Sequence, residues 1–387
     1  MSEKLFEITT DNLDTGLRGY PIGYCYTSTV DPQKGLFYCG RKVEELAFSE
    51  PEAVIYLLLN GRDPNAQELE IFKSDLRKRA PLLAKTQEAI VRLPREGHPM
   101  ALFSAAILVA GMEEGKDNYH EDCLNLIAKI PEIVAIVINH HAGWGKTPPS
   151  KPELGYVENF TQMLNVPVKD KKQLNEVFKI FNILHFDHGG GNLSTFVGKA
   201  IASGLEDMYG SIAGAMNALA GPRHGRANQD CLEFNEEMLK KVGNDPKASD
   251  VEAYLRDKLA KNELIFGFGH AVLRVEDPRA QVLYDLADKH FKDNPLVKVA
   301  KILRIEGAKV LKENPKISDP YPNVDAISGT VLAAAGFNYP EYFTVLFGLS
   351  RVVGIAIQIE DERVYAREGK GTPIVRPSYK YKSRVKT

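Results

Sequence analysis

Five short segments of this 387-residue chain place histidine, arginine or aspartate beside glycine or inside apolar runs, where such groups do not sit by default. The first is LHFDHGGGNLSTFVGKAIASG, residues 184–204. Gly189, Gly190 and Gly191 lead into Asn192, a good helix N-cap. The free N–H groups of a helix start then lie beside His188 and suit an anion. The phosphate-loop pattern G-x-x-x-x-G-K-[ST] is missing, so a nucleoside-triphosphate site finds no support. By type alone, His185 and His188 are metal ligands lacking an evident third partner, a hydrogen-bonded core pair, or functional groups. The second segment is ALAGPRHGRANQD, residues 218–230. Gly221 and Pro222 close one helix, and another, through 231–241, begins just after His224. The positive end of its dipole favours a neutral imidazole. A neutral imidazole can donate to a developing enolate oxygen, whereas the plain alternative is a histidine filling a turn.

The third segment is GFGHAVLRVEDPRA, residues 267–280. Gly267 and Gly269 allow close backbone approach. Asp277 and Pro278 read as N-cap and first helical residue, which puts Arg279 in a first turn. Arginine opposes the helix dipole there and is more intelligible if it holds a carboxylate. In the fourth, PYPNVDAISG (320–329), Asp325 stands between Val324 and Ala326. Apolar surroundings raise a carboxyl pKa and make a better base; a helix cap is the alternative. The fifth, YFTVLFGLSRVVGIAIQI (342–359), carries Arg351 as its one charge. A buried permanent cation needs an anion, either an Asp or Glu of the chain or a substrate carboxylate.

Helices must position these groups. In SDVEAYLRDKLAKN, residues 249–262, Ser249 and Glu252 have capping-box spacing, and Val251, Tyr254, Leu255 and Leu259 share a face. Residues 101–110, 122–138 and 206–220 are apolar around most of their circumference, with small residues that permit close helix packing. Near the start, STV, DPQKG and LFYCG read as two short strands around a turn. No alternation of strands and helices supports a doubly wound sheet, and no fixed period supports a solenoid. The expected fold class is therefore all-α with a small N-terminal β hairpin. Residues 142–154 are a loop by their Gly and Pro content, and the final PSYKYKSRVKT reads as an exposed basic tail.

Lys+Arg number 49 against 51 Asp+Glu, a net charge of -2, which argues against nucleic acid as a partner. Hydrophobic residues at 44% supply enough apolar material for a folded core, and the length favours two domains. The 342–359 stretch approaches membrane-spanning length, but Arg351 at its middle and the lack of a second such stretch favour a buried helix, so no membrane is expected. Cysteines at 25, 39, 123 and 231 include no C-x-x-C pair. With no apolar segment in MSEKLFEITTDN, they are expected to be reduced thiols of a cytoplasmic protein.

GFGHAVLRVEDPRA resembles the signature segment of the citrate synthase family, in a form nearer the eukaryotic HAVLR than the HRVYK of many bacterial members. HFDHGGGN, GPRHGRANQ, YPNVDAISG and TVLFGLSRVVG resemble its other site segments, in order, from about residue 28 to Arg376. The resemblance implies a two-domain helical homodimer with shared active sites. The large domain would hold residues 1–223 and 332–387, and the small one 224–331. It implies condensation of acetyl-CoA with oxaloacetate and hydrolysis of the thioester to citrate and CoA, a reaction of the tricarboxylic acid cycle, with no metal and no cofactor beyond the CoA substrate. Asp325 would take a methyl proton of acetyl-CoA, His224 would hydrogen-bond the thioester oxygen, and His270 would polarise the ketone. His188, Arg279 and Arg351 would bind the dicarboxylate, joined by Arg376 from the partner subunit, and Arg274 would contact CoA phosphate. A 2-methylcitrate synthase using propionyl-CoA would share these residues; a catalytically inactive helical scaffold would have no use for them. Two segments depart from the family pattern: CGRKVEELA at 39–47 stands where RGY-x-IEELA is usual, and INHHAG at 138–143 lacks the family's partner-derived basic residues for CoA.

Overall fold

The computed structural model describes residues 3–317 and 319–384. Strands Ser28–Asp31 and Gly35–Tyr38 form the expected antiparallel hairpin, with Ser28 opposite Tyr38. A third strand, Arg41–Lys42, extends the sheet in chain order and is too short to read from sequence. The turn forms because Asp31 Oδ1 accepts the N–H groups of Gln33 (2.8 Å) and Lys34 (3.0 Å). Gly35 then adopts φ +98°, and a Cβ there would lie 2.6 Å from Pro278 Cγ. The hairpin is thereby seated on the first turn of the helix that carries Arg279.

The rest of the regular structure is helical, with sixteen α-helices among the described residues. Two of them form the centre. In Tyr119–Ala142 every residue from Asp122 to Asn139 is buried, and in Phe343–Glu360 every residue but Phe347 is buried. Each is long and apolar enough to cross a membrane, but 94% of each apolar window lies inside the protein. The sequence thus holds a second such stretch. Asp122, Lys129 and Glu132 disguise it, and all three find partners: Lys129 pairs with Glu114 at 2.8 Å, while Glu132 accepts Leu82 N–H at 2.9 Å and Asp122 accepts Lys116 N–H at 2.9 Å. Neighbouring helices close in on small residues. A Cβ on Gly348 would lie 2.7 Å from the Phe103 ring, and one on Gly111 would lie 2.6 Å from Tyr209.

A separate apolar cluster joins Phe234, Met238, Val251, Leu255, Val299 and Leu303. It is built from helices Ala227–Val242, Ala248–Ala260 and Pro295–Lys312. The capping box expected at Ser249 does not form. The helix begins at Ala248 with Lys247 as its N-cap, so Ser249 lies inside the first turn and its hydroxyl turns to Asp250 at 3.4 Å. Val251 and Leu255 are buried as expected, but Leu259 is 36% exposed, so the apolar face is narrower than its spacing implies. The 142–154 loop is present, between Gly143 (φ +69°) and the helix starting at Tyr156. The basic tail is exposed through Arg384, and residues 385–387 lie outside the described residues.

Candidate active site

The helix Lys171–His185 ends in a turn that presents His188. Asp187, fully buried, fixes that turn. It accepts hydrogen bonds from the Thr27 hydroxyl, the Ser28 hydroxyl (2.7 Å), Gln358 Nε2 (2.8 Å) and the His188 N–H (2.8 Å). The hairpin and the central helix thus both hold the loop. Gly189 follows at φ +75° and gives its N–H to Ser28 Oγ at 2.7 Å. Burial and the adjacent Arg279 push the His188 imidazole well below its usual range, so it is neutral. Its Nε2 lies 3.4 Å from Arg279 Nη2, and its ring lies 5.3 Å from that of His270.

Asp277 caps the helix Pro278–Phe291 by accepting the Arg279 N–H at 3.0 Å. The same carboxylate grips the guanidinium through Nε (3.0 Å) and Nη2 (2.7 Å). The carboxylate expected for Arg279 is therefore, in the first instance, Asp277. Arg351 has no such neighbour. Its Nε donates to His185 O at 3.0 Å, its guanidinium lies 4.7 Å from the Phe347 ring centre, and buried Nη1 has no partner among the described residues. Burial lowers its pKa to about 10, a drop that the field of Asp187 partly offsets. A buried guanidinium nitrogen left unpaired costs free energy.

His224 and His270 are both neutral, each with a pKa near 4, chiefly from burial. Their tautomers are set by backbone N–H groups, which can only donate. His224 Nε2 accepts Ser194 N–H at 3.2 Å, so its proton sits on Nδ1. His270 Nδ1 accepts the N–H groups of Val272 (3.0 Å) and Leu273 (2.9 Å), so its proton sits on Nε2. Each ring therefore keeps one N–H to donate. The helix terminus acting on His224 is not the one expected. Ser194 lies in the first turn of Leu193–Ser203, whereas the helix after His224 starts only at Ala227 with Arg226 as its cap.

Asp325 begins the helix Asp325–Ala334 and does not cap it; the N-cap is Val324. Its carboxyl is raised from 3.8 to about 6 by burial, with Arg279 pulling the other way. Asn323 holds it in place by accepting its N–H at 3.0 Å. The positive φ of +83° at Gly267 and Gly269 brings the His270 loop against this helix, and a Cβ on Gly267 would lie 2.9 Å from Ala326 Cα.

His188, His224, His270, Arg279, Asp325 and Arg351 thus act within reach of one another's fields. Two expected residues are exposed, and of these only Arg274 bears on the group, its charge lowering the His270 pKa. Arg274 is exposed, with Nη1 folded onto the carbonyls of His270 (3.2 Å), Val272 (3.1 Å) and Leu273 (2.6 Å). Arg376 is exposed next to Val375, whose N–H donates to Ser203 Oγ at 2.9 Å. Ser203 ends the helix whose first turn serves His224, so Arg376 is anchored about 14 Å along that helix from this chain's own site. His185 is a satisfied core histidine, its Nδ1 bonded to Phe181 O at 2.7 Å. No group of three or more His, Cys, Asp or Glu side chains suited to a metal occurs among the described residues. The sequence reading missed Asp187, Ser194, Asn323 and Gln358. Only Asp187, inside HFDHGGG, carried a signal in its type and position.

The profile described as citrate synthase, C-terminal domain, matches residues 16–378. The chain belongs to the citrate synthase family. Membership makes it an enzyme that transfers an acyl group. It is 34% identical over 92% of its length to citrate synthase 4, mitochondrial, of Arabidopsis thaliana, of which 80% is covered. It is 33% identical to the peroxisomal citrate synthase of Saccharomyces cerevisiae, covering 99% of this chain and 88% of that one. A mitochondrial 2-methylcitrate synthase of Yarrowia lipolytica is 34% identical, covering 96% of this chain and 84% of that one. Among solved structures, the ternary complex of carboxymethyl coenzyme A and oxaloacetate with citrate synthase from Thermoplasma acidophilum superposes with a TM-score of 0.82 at 28% identity, covering 97% of each chain. The expectation of a cytoplasmic protein is overturned, because these citrate synthase relatives are mitochondrial or peroxisomal. The four cysteines, free in the structure, do not single out the cytoplasm.

Proposed function

We propose that the protein condenses acetyl-CoA with oxaloacetate and hydrolyses the resulting thioester, giving citrate and CoA. The observation that carries this reading is the pair of neutral imidazoles with opposite tautomers, in one site with a half-buried carboxyl of pKa about 6 and a buried arginine with an unpaired nitrogen. Asp325 as carboxylate takes a methyl proton of acetyl-CoA, while the His224 Nδ1–H donates to the thioester oxygen as negative charge gathers there. The enol carbon attacks the ketone of oxaloacetate, and the His270 Nε2–H donates to the oxygen that becomes the alkoxide. Neutral imidazoles suit this work because they donate strongly only once the oxygen turns basic. Arg351, Arg279 and His188 hold the two substrate carboxylates, and water then cleaves the thioester. The reaction calls on no resident cofactor.

The charges support a site shared between subunits. Arg279 and Arg351 feel the fields of Asp187, Asp277 and Asp325, so this chain alone offers no net positive pocket to a dianion. Arg376 from a partner copy would supply the missing cation. Leu108 (44% exposed), Met112 (79%) and Leu205 (75%) are exposed apolar side chains of the kind that a homodimer covers. The separate cluster around Phe234 and Leu303 lies wholly within 224–331, which supports a small domain over those residues, and a large domain over 1–223 and 332–387, that close on the substrate. Arg274 is assigned to CoA phosphate. Propionyl-CoA, giving 2-methylcitrate, is the alternative donor, supported by the Yarrowia relative. Comparing kcat/KM for acetyl-CoA and propionyl-CoA at saturating oxaloacetate tests the choice. A preference for acetyl-CoA of tenfold or more is expected; equal or reversed values would favour the alternative.

A further inference from the structure

The loops that carry His270 and Asp325 share one anchor outside the site. Residues 267–269 and 321–323 run antiparallel and are bridged at Phe268 and Pro322. Gly269 N–H donates to Tyr321 O (3.0 Å), Asn323 N–H to Gly267 O (2.9 Å) and Asn323 Nδ2 to Gly269 O (3.0 Å). Because Asn323 also accepts the Asp325 N–H, one clasp carries both groups. With glycine at 267 and 269, Phe268 is the only side chain on its strand of the clasp. Its ring stands end-on in helix Pro295–Lys312 at buried Gly307. A Cβ on Gly307 would lie 2.2 Å from Phe268 Cζ and 2.8 and 3.0 Å from Cε2 and Cε1.

We propose that Gly307 is a positioning residue for the reaction: the gap left by its missing side chain seats Phe268, and Phe268 fixes the clasp that places His270 and Asp325. Phe268 Cζ lies on the Cβ–Cγ axis, so turning the ring about χ2 does not move it away from a new methyl. Relief requires either withdrawing the ring through χ1 or shifting the strand by more than about 1 Å to reach ordinary contact. A shift of that size at reacting groups lowers rates by on the order of a hundredfold. The helix itself has no objection to alanine, which it prefers to glycine.

The proposal rests on the condensation reading, and the test separates the two. Gly307→Ala should lower kcat ten- to hundredfold and weaken oxaloacetate binding by a much smaller factor, since Arg351 and His188 lie on other segments and Arg279 is tied to the clasp only through Asp277, whose N–H donates to Pro322 O at 3.1 Å. Phe268→Leu shortens the plug and should lower kcat. The double variant, in which the new methyl refills the gap beside leucine, should exceed Phe268→Leu. A kcat for Gly307→Ala within twofold of the parent, or a double variant no faster than Phe268→Leu, would overturn the proposal. The second comparison decides the matter even if Gly307→Ala alone does not fold. NMR of the ring-labelled His270 resonance reads its placement without turnover. It should be perturbed in Phe268→Leu and return toward the parent in the double variant, and an unmoved resonance would overturn the proposal whatever reaction the enzyme runs.

Discussion

Replacing Arg351 with methionine separates two opposite effects of one guanidinium. The side chain is 1% exposed, bonded only through Nε to His185 O, with Nη1 unpartnered among the described residues. The fall of its pKa from 12.5 to about 10 corresponds to roughly 3 kcal/mol against the charged form. Both values lie above 7, so at neutral pH the group is charged folded and unfolded, and the fold bears this cost in full. Relief comes only as pH rises past about 10. Methionine keeps packing against Phe347 and removes the charge, but it leaves the His185 carbonyl without its donor, a loss of about 1–3 kcal/mol. The unliganded variant should therefore be as stable as the parent or gain up to about 2 kcal/mol, a rise in Tm of roughly 0–3 °C for a chain of this size. Oxaloacetate binding should move the other way, losing about 2–5 kcal/mol, or roughly 30- to 5,000-fold in Kd. Scanning and titration calorimetry with and without oxaloacetate read both effects. A Kd within threefold of the parent would refute the substrate role, and a Tm lowered by 5 °C or more would refute the view that neighbouring carboxylates compensate the unliganded charge only in part.

Other outcomes follow from the same site. The rate kcat/KM for acetyl-CoA should rise with pH through about 6 as Asp325 ionises and then level, because His224 and His270, near 4, add no limb between 5 and 8; a profile from pH 4.5 to 9 centred near 7 would contradict these assignments. Stability should fall between about pH 6.5 and 4, where the unfolded chain protonates His224 and His270 and the fold does not. Asp325, raised in the fold, opposes this in the same range, while His185 and His188, also lowered, add to it. The net loss in urea titrations should exceed about 3 kcal/mol, and a stability unchanged across that range would contradict the neutral histidines. Co-refolding inactive Asp325→Asn and Arg376→Ala variants at equal concentration should restore about a quarter of the sites if Arg376 serves the partner of a two-fold dimer; no recovery, with hybrids confirmed by native mass spectrometry, would rule that out. Oxaloacetate should make the particle more compact in solution scattering, since the proposed domains close around it, and unchanged profiles at saturation would indicate a preformed site.

Much of this site is legible in the sequence because its groups sit where folding alone would not put them. Arg351 inside an apolar helix proved fully buried, Asp325 between Val324 and Ala326 proved half-buried with a raised pKa, and the Asp277–Pro278 helix start was readable from local rules. What escaped depends on contacts between segments distant in the chain. Asp187 is held by Thr27, Ser28 and Gln358, up to 171 residues away. The helix end that sets the His224 tautomer lies 30 residues before it, so attention to the following helix named the right state for the wrong reason. Arg279 was expected to await a ligand, but its cap residue Asp277 reaches it first. The Ser249 box failed because a small change in helix start moves the serine out of the cap.

The central claim is that Asp325 removes a methyl proton from a thioester whose oxygen is held by a neutral imidazole. Single-turnover formation of citrate from acetyl-CoA and oxaloacetate, followed by rapid quench in the parent and in Asp325→Asn, tests it most directly. The parent should form citrate and release one CoA per turnover only when oxaloacetate is present. The variant should bind oxaloacetate with Kd within threefold of the parent and form citrate at least a thousandfold more slowly, because an amide cannot accept the proton. CoA release without oxaloacetate, or citrate formation by Asp325→Asn at a rate near the parent's, would contradict the account.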